Sequence, residues 1–162
     1  MTGRVFSINI SAGGVPKRAV EQAVAGTEGL SGDEHDDKVH HGGPERALCL
    51  YSIERIRVLR SEGHPVGPGT MGENITLEGL DSASIKPGDR LQVGEAEIEV
   101  TSYTTPCKTI RESFIDGGFS RVLQARHPGD SRLYARVVTG GTIRRGDRVK
   151  LAAPAVPGEA GG

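Results

Sequence analysis

Short runs of alternating hydrophobic and polar residues, separated by glycine and proline, dominate this chain of 162 residues. Phe6, Ile8 and Ile10 alternate with polar neighbours, which is the two-residue period of a strand with one buried face. Between Gly14 and Gly26, alanine and glutamate favour a helix, but the glycines confine the segment to strand length. The other segments with strand character are Arg46–Tyr51, Asn74–Leu77, Arg90–Val93, Glu97–Ser102, Leu133–Val138 and Arg148–Ala152.

Helical spacing is confined to three short segments. Ser52 is a candidate N-cap for a helix that carries Ile53, Ile56 and Leu59 at helical spacing and stops at Gly63. Thr109–Ile115 and Phe119–Arg126 also predict short helices, the second with apolar residues on one face.

Many short strands, separated at regular intervals by glycine and proline, together with few helices predict a mostly β fold, a closed or nearly closed β-barrel. Gly88-Asp89 and Gly146-Asp147 are each followed by four residues that alternate between polar and apolar, so both predict tight turns that lead into strands. A length of 162 residues is typical of one domain, which we assign to residues 1–152. Residues 153–162 have the composition of a disordered tail.

Charge and composition exclude several classes of function. Twenty Lys and Arg residues balance 21 Asp and Glu residues, and aromatic residues make up only 4% of the chain. Neither a broad nucleic-acid surface nor a base-stacking platform is expected. No run is long and apolar enough to span a membrane, and no secretion signal is visible. With two cysteines far apart in sequence, we expect a cytoplasmic protein with reduced thiols.

Cys107 is the strongest candidate for chemistry. It stands between a predicted strand and a predicted helix, after Pro106 and before Lys108, where a helix dipole and a cation favour a thiolate. Such a thiolate could act as a nucleophile, a sulfur carrier or a ligand of a soft metal; the alternative is an inert loop cysteine. Cys49 lies between two leucines of a predicted strand, where cysteine behaves as a small hydrophobic residue.

The loop Gly32–Arg46 is rich in histidine and acidic residues. This composition permits a metal site of its own, although solvated acidic loops are the more common outcome. Gly42 and Gly43 would let the backbone approach a ligand closely. Arg46 could form bidentate hydrogen bonds with an oxyanion, or else a salt bridge with a nearby acid.

Taken in order, several segments of this chain resemble a MOSC domain, the domain named after the C-terminal part of molybdenum-cofactor sulfurase. The resemblance runs from about Gly3 to Leu151, and each motif is weak by itself. The matching segments are His-Gly-Gly-Pro-x-Arg-Ala at His41–Ala47, Gly-Glu-Asn at Gly72–Asn74, Pro-Gly-Asp at Pro87–Asp89, Thr-x-Cys at Thr105–Cys107 and Gly-Thr-Ile-x-x-Gly-Asp at Gly141–Asp147.

The resemblance implies a pocket for the molybdenum cofactor, a pterin that carries a phosphate and a dithiolene. It implies that Cys107 carries sulfur or ligates molybdenum. The cofactor-binding residues implied by the motifs are Lys38, His41, Gly42, Gly43, Arg46, Asn74 and Thr105.

Three functions agree with these residues. The first is a cofactor-binding sulfur carrier that receives sulfur on Cys107 from a cysteine desulfurase. The second is a small molybdoenzyme that reduces N-hydroxylated compounds, with Cys107 as metal ligand and electrons from a partner reductase. The third is a non-catalytic module that stores or delivers the cofactor. One thiolate serves the first two equally well, so the sequence does not separate them.

Overall fold

The computed structural model of the protein describes residues 1–34 and 43–152. Within these residues, one α-helix, α1 (Ile53–Ser61), lies among strands that account for most of the regular structure. In chain order the strands are β1 (Thr2–Ile10), β2 (Arg18–Val20), β3 (Gln22–Gly26), β4 (Gly29–Leu30), β5 (Leu48–Ser52), β6 (Ile75–Glu78), β7 (Arg90–Val93), β8 (Ala96–Tyr103), β9 (Leu133–Thr139), β10 (Gly141–Arg144) and β11 (Arg148–Leu151).

Seven of these strands close into a barrel, which confirms the predicted fold class. The strand order is β1–β6–β5–β9–β8–β7–β11, and β11 pairs back onto β1 with Gly3 opposite Val149. Closure leaves no unpaired edge in the ring. β2 extends the sheet beside β1, and β10, β3 and β4 form a small second sheet.

The β5–α1–β6 segment is the parallel part of the barrel. β5 and β6 pair in parallel, with Leu50 opposite Ile75, and α1 makes the connection between them. Ser52 stands at the N-cap of α1, as predicted, but its hydroxyl contacts Ser82 Oγ at 2.9 Å and does not cap the helix. The side chain therefore joins two parts of the fold at the point where β5 ends.

Two groups of buried side chains stabilise the fold. The larger fills the barrel and is aliphatic, with members such as Ile8, Leu50, Leu77 and Ile98. The smaller lies under α1, where Ile56 and Leu59 pack with residues such as Phe114. This second group ties the segment that follows β8 to the outside of the barrel.

Some local predictions needed correction. Pro44–Arg46 forms a single 3-10 turn, so Arg46 precedes β5 and does not begin a strand. The two helices predicted after Cys107 are short 3-10 segments, Lys108–Ser113 and Phe119–Val122, with a third at Ile115–Gly117 between them. Asp116 and Gly117 have positive φ, which breaks the segment before an α-helix can form.

In the part of the chain that the structure describes, no helix is long and apolar enough to cross a membrane. The predicted tail, residues 153–162, lies outside the described residues, as do positions 35–42 of the polar loop.

Candidate functional site

A cavity of about 240 Å³ lies against the outer face of the barrel. Leu48 and Leu50 of β5 belong to the barrel core, while Cys49 between them lines the cavity. Adjacent side chains of a strand point to opposite faces, so the cavity lies outside the barrel wall. The lining residues described are Gly14, Val15, Lys17, Glu34, Arg46, Cys49, Met71, Gly72, Asn74, Cys107, Thr109, Ile110, Arg132 and Tyr134.

Cys107 lines this cavity from the segment that follows β8. Its backbone is extended, with φ −140°, and it immediately precedes the 3-10 helix Lys108–Ser113. The thiol is partly exposed and donates to Thr109 Oγ1 at 3.2 Å. The predicted position between a strand and a helix is confirmed, and it gives the sulfur access to whatever occupies the cavity.

Arg46 and Tyr134 form a stacked pair in the cavity wall. The Arg46 guanidinium lies 5.7 Å from the centre of the Tyr134 ring, a distance that allows a cation–π interaction. Burial raises the pKa of Tyr134 to about 12. The phenol is therefore a neutral hydrogen-bonding group near neutral pH.

Asn74 occupies the centre of a buried hydrogen-bond network. Its carboxamide oxygen accepts from the Cys49 N–H at 2.9 Å, and its amide donates to Asp33 Oδ2 at 2.8 Å. Asp33 also forms an ion pair with Lys17 at 2.6 Å, and the side chains of both are almost fully buried. The network connects the residue before β6, the second residue of β5 and Lys17.

The structure does not bring every predicted site residue to the cavity. Thr105 is exposed and lies outside the lining, whereas its neighbour Thr104 is buried. Gly43 has φ 91° and stands at the start of the 3-10 turn, also outside the lining. Lys38, His41 and Gly42 lie outside the described residues.

Cys49 is buried in a strand, as predicted, and it also lines the cavity. The residue is 6% exposed, and that exposure faces the cavity, so both cysteines line it. Burial raises the pKa of the Cys49 thiol to about 11. Near neutral pH Cys49 is a neutral thiol, in keeping with the packing role inferred from its sequence neighbours.

Three further charged residues lie at or beside the cavity: Lys17, Glu73 and Arg132. Glu73 belongs to the Gly-Glu-Asn motif but was given no role from the sequence, and Lys17 and Arg132 were not predicted. Glu73 is fully buried; its Oε1 accepts from the Gly69 N–H at 2.8 Å and its Oε2 has no partner. Burial raises the pKa of Glu73 to about 7. Lys17 and Arg132 line the cavity from chain segments that are distant in sequence, so no local motif marks them.

Comparison with known proteins agrees with this geometry. The family model for the MOSC domain matches residues 37–150, a stretch that includes Arg46, Asn74 and Cys107. The chain belongs to the MOSC domain family. MOSC domains are linked to binding of the molybdenum cofactor, and the cavity of this MOSC domain lies where three of the family motifs meet.

Two curated bacterial proteins are similar in sequence. The MOSC domain is 31% identical over 140 residues to the uncharacterized protein YflK of Bacillus subtilis, covering 85% of this chain and 62% of YflK. It is 33% identical over 100 residues to the protein YiiM of Escherichia coli, covering 59% of this chain and 45% of YiiM. The chain thus spans less than two thirds of either relative.

Solved structures show the same fold. The crystal structure of YiiM from Escherichia coli superposes with a TM-score of 0.72 at 24% identity, over 96% of this chain and 71% of that one. YiiM from Geobacillus stearothermophilus gives a TM-score of 0.69 at 24% identity, over 93% of this chain and 75% of that one. These likenesses support the barrel architecture.

Within the described residues, no group of three or more His, Cys, Asp or Glu side chains could hold a metal ion. The histidine-rich part of the polar loop, with its hypothetical metal site, falls at positions 35–42 outside them. The chemistry available in the described cavity is therefore one accessible thiol, several cations and a set of hydrogen-bond donors.

Proposed function

We propose that this MOSC domain binds the molybdenum cofactor in the cavity and handles sulfur through Cys107. One observation carries the proposal: the partly exposed Cys107 lines the same cavity as Arg46 and Asn74, although the three come from separate parts of the chain. Each of these residues also belongs to a segment that matches the family.

The donor set fits the chemical groups of the cofactor. Cys107 provides a soft sulfur ligand for a metal, and Arg46 and Arg132 provide guanidinium groups that suit a phosphate. Arg132 Nε is buried without a hydrogen-bond partner, which is an expected feature of a site that receives an anionic group. Gly72, with φ 83°, brings backbone to the cavity with no side chain. When bound, the cofactor would supply a metal centre for sulfur acceptance or two-electron reduction.

Sulfur would reach Cys107 by transfer from a persulfide donor such as a cysteine desulfurase. The Cys107 sulfur attacks the terminal sulfur of the donor persulfide, so that a new S–S bond forms on Cys107. The donor S–S bond breaks, and the donor thiol takes up the proton that Cys107 releases. One sulfur atom moves without net oxidation, and no further oxidant or reductant is needed.

The direct test is to purify the chain from a host that makes the cofactor and to measure molybdenum, pterin and sulfane sulfur together. Wild-type protein should contain molybdenum and pterin in similar amounts and should gain one labile sulfur from a cysteine desulfurase and cysteine. Cys107→Ser should lose the labile sulfur, whereas the neighbouring surface variant Thr105→Ala should keep it. Protein that never carries pterin would contradict the proposed binding.

A reductase is the second candidate, because a thiol in a cavity wall is equally suited to permanent metal ligation. In that case the loaded protein should reduce an N-hydroxylated compound with a chemical electron donor, and it should take no sulfur from the desulfurase. A protein that retains pterin but shows neither activity would correspond to the storage or delivery module.

A further inference from the structure

Arg132 is a buried cation at the wall of the cavity. It directly precedes β9, is only 7% exposed and contributes to the lining. Its Nη1 donates to the Met71 carbonyl at 2.8 Å, which fixes one side of the guanidinium. Its Nε is buried without a hydrogen-bond partner, and no carboxylate in the described part of the chain lies within ion-pair distance of it.

A buried guanidinium without a carboxylate is unfavourable, because it has lost water and gained little in return. Such groups persist in folded proteins when a ligand completes their interactions. Glu73, a buried acid whose pKa is raised by burial and lowered in part by the charge of Arg132, does not fulfil this role. Its Oε1 is held by the Gly69 N–H, and its Oε2 is itself unpartnered. Because burial raises the pKa of Glu73 to about 7, a large share of this group is neutral at physiological pH.

The other charges at the cavity are arranged differently. Lys17 forms its ion pair with Asp33 at 2.6 Å, so its charge is already balanced. Arg46 lies over the face of Tyr134. Glu34 is the one acidic residue among the described lining residues. In the described structure, the charge of Arg132 is thus directed to the cavity without an ion-pair partner from the protein.

We propose that Arg132 is the oxyanion-binding residue of this cavity and receives a phosphate or carboxylate group of the bound molecule. A guanidinium held on one side by Met71 presents its remaining N–H groups in a fixed plane, which suits a flat or tetrahedral oxyanion. The inference rests on the proposed function only for the identity of that molecule. The oxyanion could belong to the cofactor or to an acidic substrate.

The test uses the full-length protein without cofactor and inorganic phosphate as the probe. Phosphate should raise the melting temperature of wild type above the value in chloride at equal ionic strength. Arg132→Gln should abolish this increase, Arg132→Lys should keep part of it, and the exposed-surface control Arg126→Gln should keep all of it. An equal increase in Arg132→Gln and wild type would overturn the proposal.

A second measurement needs no substitution and therefore remains valid if Arg132→Gln does not fold. The buried Nε–H of Arg132 should give a resolved nitrogen-detected NMR signal, and phosphate should shift it. The signal of Arg126 should not move. If titration with phosphate left the Arg132 signal unchanged, the assignment would be wrong.

To identify the molecule that carries the oxyanion, Arg132→Gln and wild type are produced in a host that supplies the cofactor, and their pterin content is compared. If Arg132→Gln loses both pterin and the phosphate effect, the group recognised is the cofactor's phosphate. If it keeps pterin but loses the phosphate effect, Arg132 recognises an acidic substrate. Wild-type protein without pterin would refute the proposed function, yet the phosphate test of Arg132 would still stand.

Discussion

The side-chain amide of Asn74 donates to Asp33 Oδ2 at 2.8 Å, in the interior of the protein. Asp33 accepts at its other oxygen from Lys17 and from the Ser11 N–H. Asn74 in turn accepts from the Cys49 N–H. The two side chains thus connect the barrel strand that carries Cys49 with Lys17, another residue of the cavity lining. A substitution of Asn74 or Asp33 should therefore affect both Cys49 and Lys17.

Asn74→Ala should lower the free energy of unfolding by about 2–4 kcal/mol, because it removes the acceptor of the buried Cys49 N–H and the amide that donates to Asp33. Asn74→Asp should be at least as harmful at pH 8, where it brings a second carboxylate against Asp33, and less harmful at pH 5. Urea denaturation measures both effects. The control is the exposed substitution Thr105→Ala, which should change the free energy of unfolding by less than about 0.5 kcal/mol. If Thr105→Ala destabilised the protein as much as Asn74→Ala, the importance of the hydrogen-bond network would be contradicted.

Glu73→Gln should change the pH dependence of stability. The native pKa of about 7 lies above the ordinary value of 4.5, so native protein holds the Glu73 proton more tightly than unfolded protein. The stability contributed by neutral Glu73 is complete below pH 4.5 and is lost as pH rises through 7. Glutamine does not titrate and can still accept from Gly69.

The variant should therefore match wild type near pH 5 and exceed it by up to about 3 kcal/mol at pH 8. Denaturation curves at several pH values give this difference. Glu112→Gln, at an exposed position, serves as control and should show no trend. A constant difference between Glu73→Gln and wild type at all pH values would argue that Glu73 does not titrate in this range.

The two thiols should differ strongly in reactivity. Cys107 is partly exposed, whereas Cys49 is buried and its pKa is raised to about 11. Iodoacetamide at pH 7.5 should modify Cys107 about tenfold faster or more, because the reaction requires an accessible thiolate. Mass spectrometry of the peptides measures the two rates.

Cys107→Ser should remove the fast reaction, and Cys49→Ala should leave it intact while costing about 1 kcal/mol of stability. If Cys49→Ala instead removed the fast reaction, the assignment of the two thiols would be reversed.

Arg46→Ala should lower retention of the cofactor without loss of the fold, since Arg46 lies in the cavity wall and outside both buried clusters. Arg46→Lys should restore retention only in part, because lysine lacks the planar fork and stacks less well on Tyr134. Pterin content after purification measures the effect, with Arg126→Gln as control. Complete restoration by lysine would indicate that only the positive charge matters.

Much of the local structure could be predicted from short-range patterns. The alternation in β1, the helical spacing of α1 and the position of Cys107 after a strand are properties of neighbouring residues, and all three are present. The 3-10 form of the segments after Cys107 was not predictable in the same way. Helical spacing over a few residues fits both helix types, and the backbone of Asp116 decides between them.

The alternation of side chains along β5 also indicates which way Cys49 faces. Because Leu48 and Leu50 face the core, Cys49 must face the other side, and Tyr134 opposite it in β9 shares that side. Beyond the end of β8, Thr104 is buried and Thr105 is exposed, although the family motif includes Thr105.

The sequence by itself determined most of the barrel strands and the family, and it predicted a reactive thiol at Cys107, because these inferences depend on residue types at short spacing. The tertiary structure decided which side chains meet. β1 closes on β11 from the other end of the chain, and Lys17, Cys49, Arg132 and Tyr134 reach one cavity from three separate segments. Their proximity depends on strand order and register, which are fixed by burial of the whole barrel core and not by any local pattern.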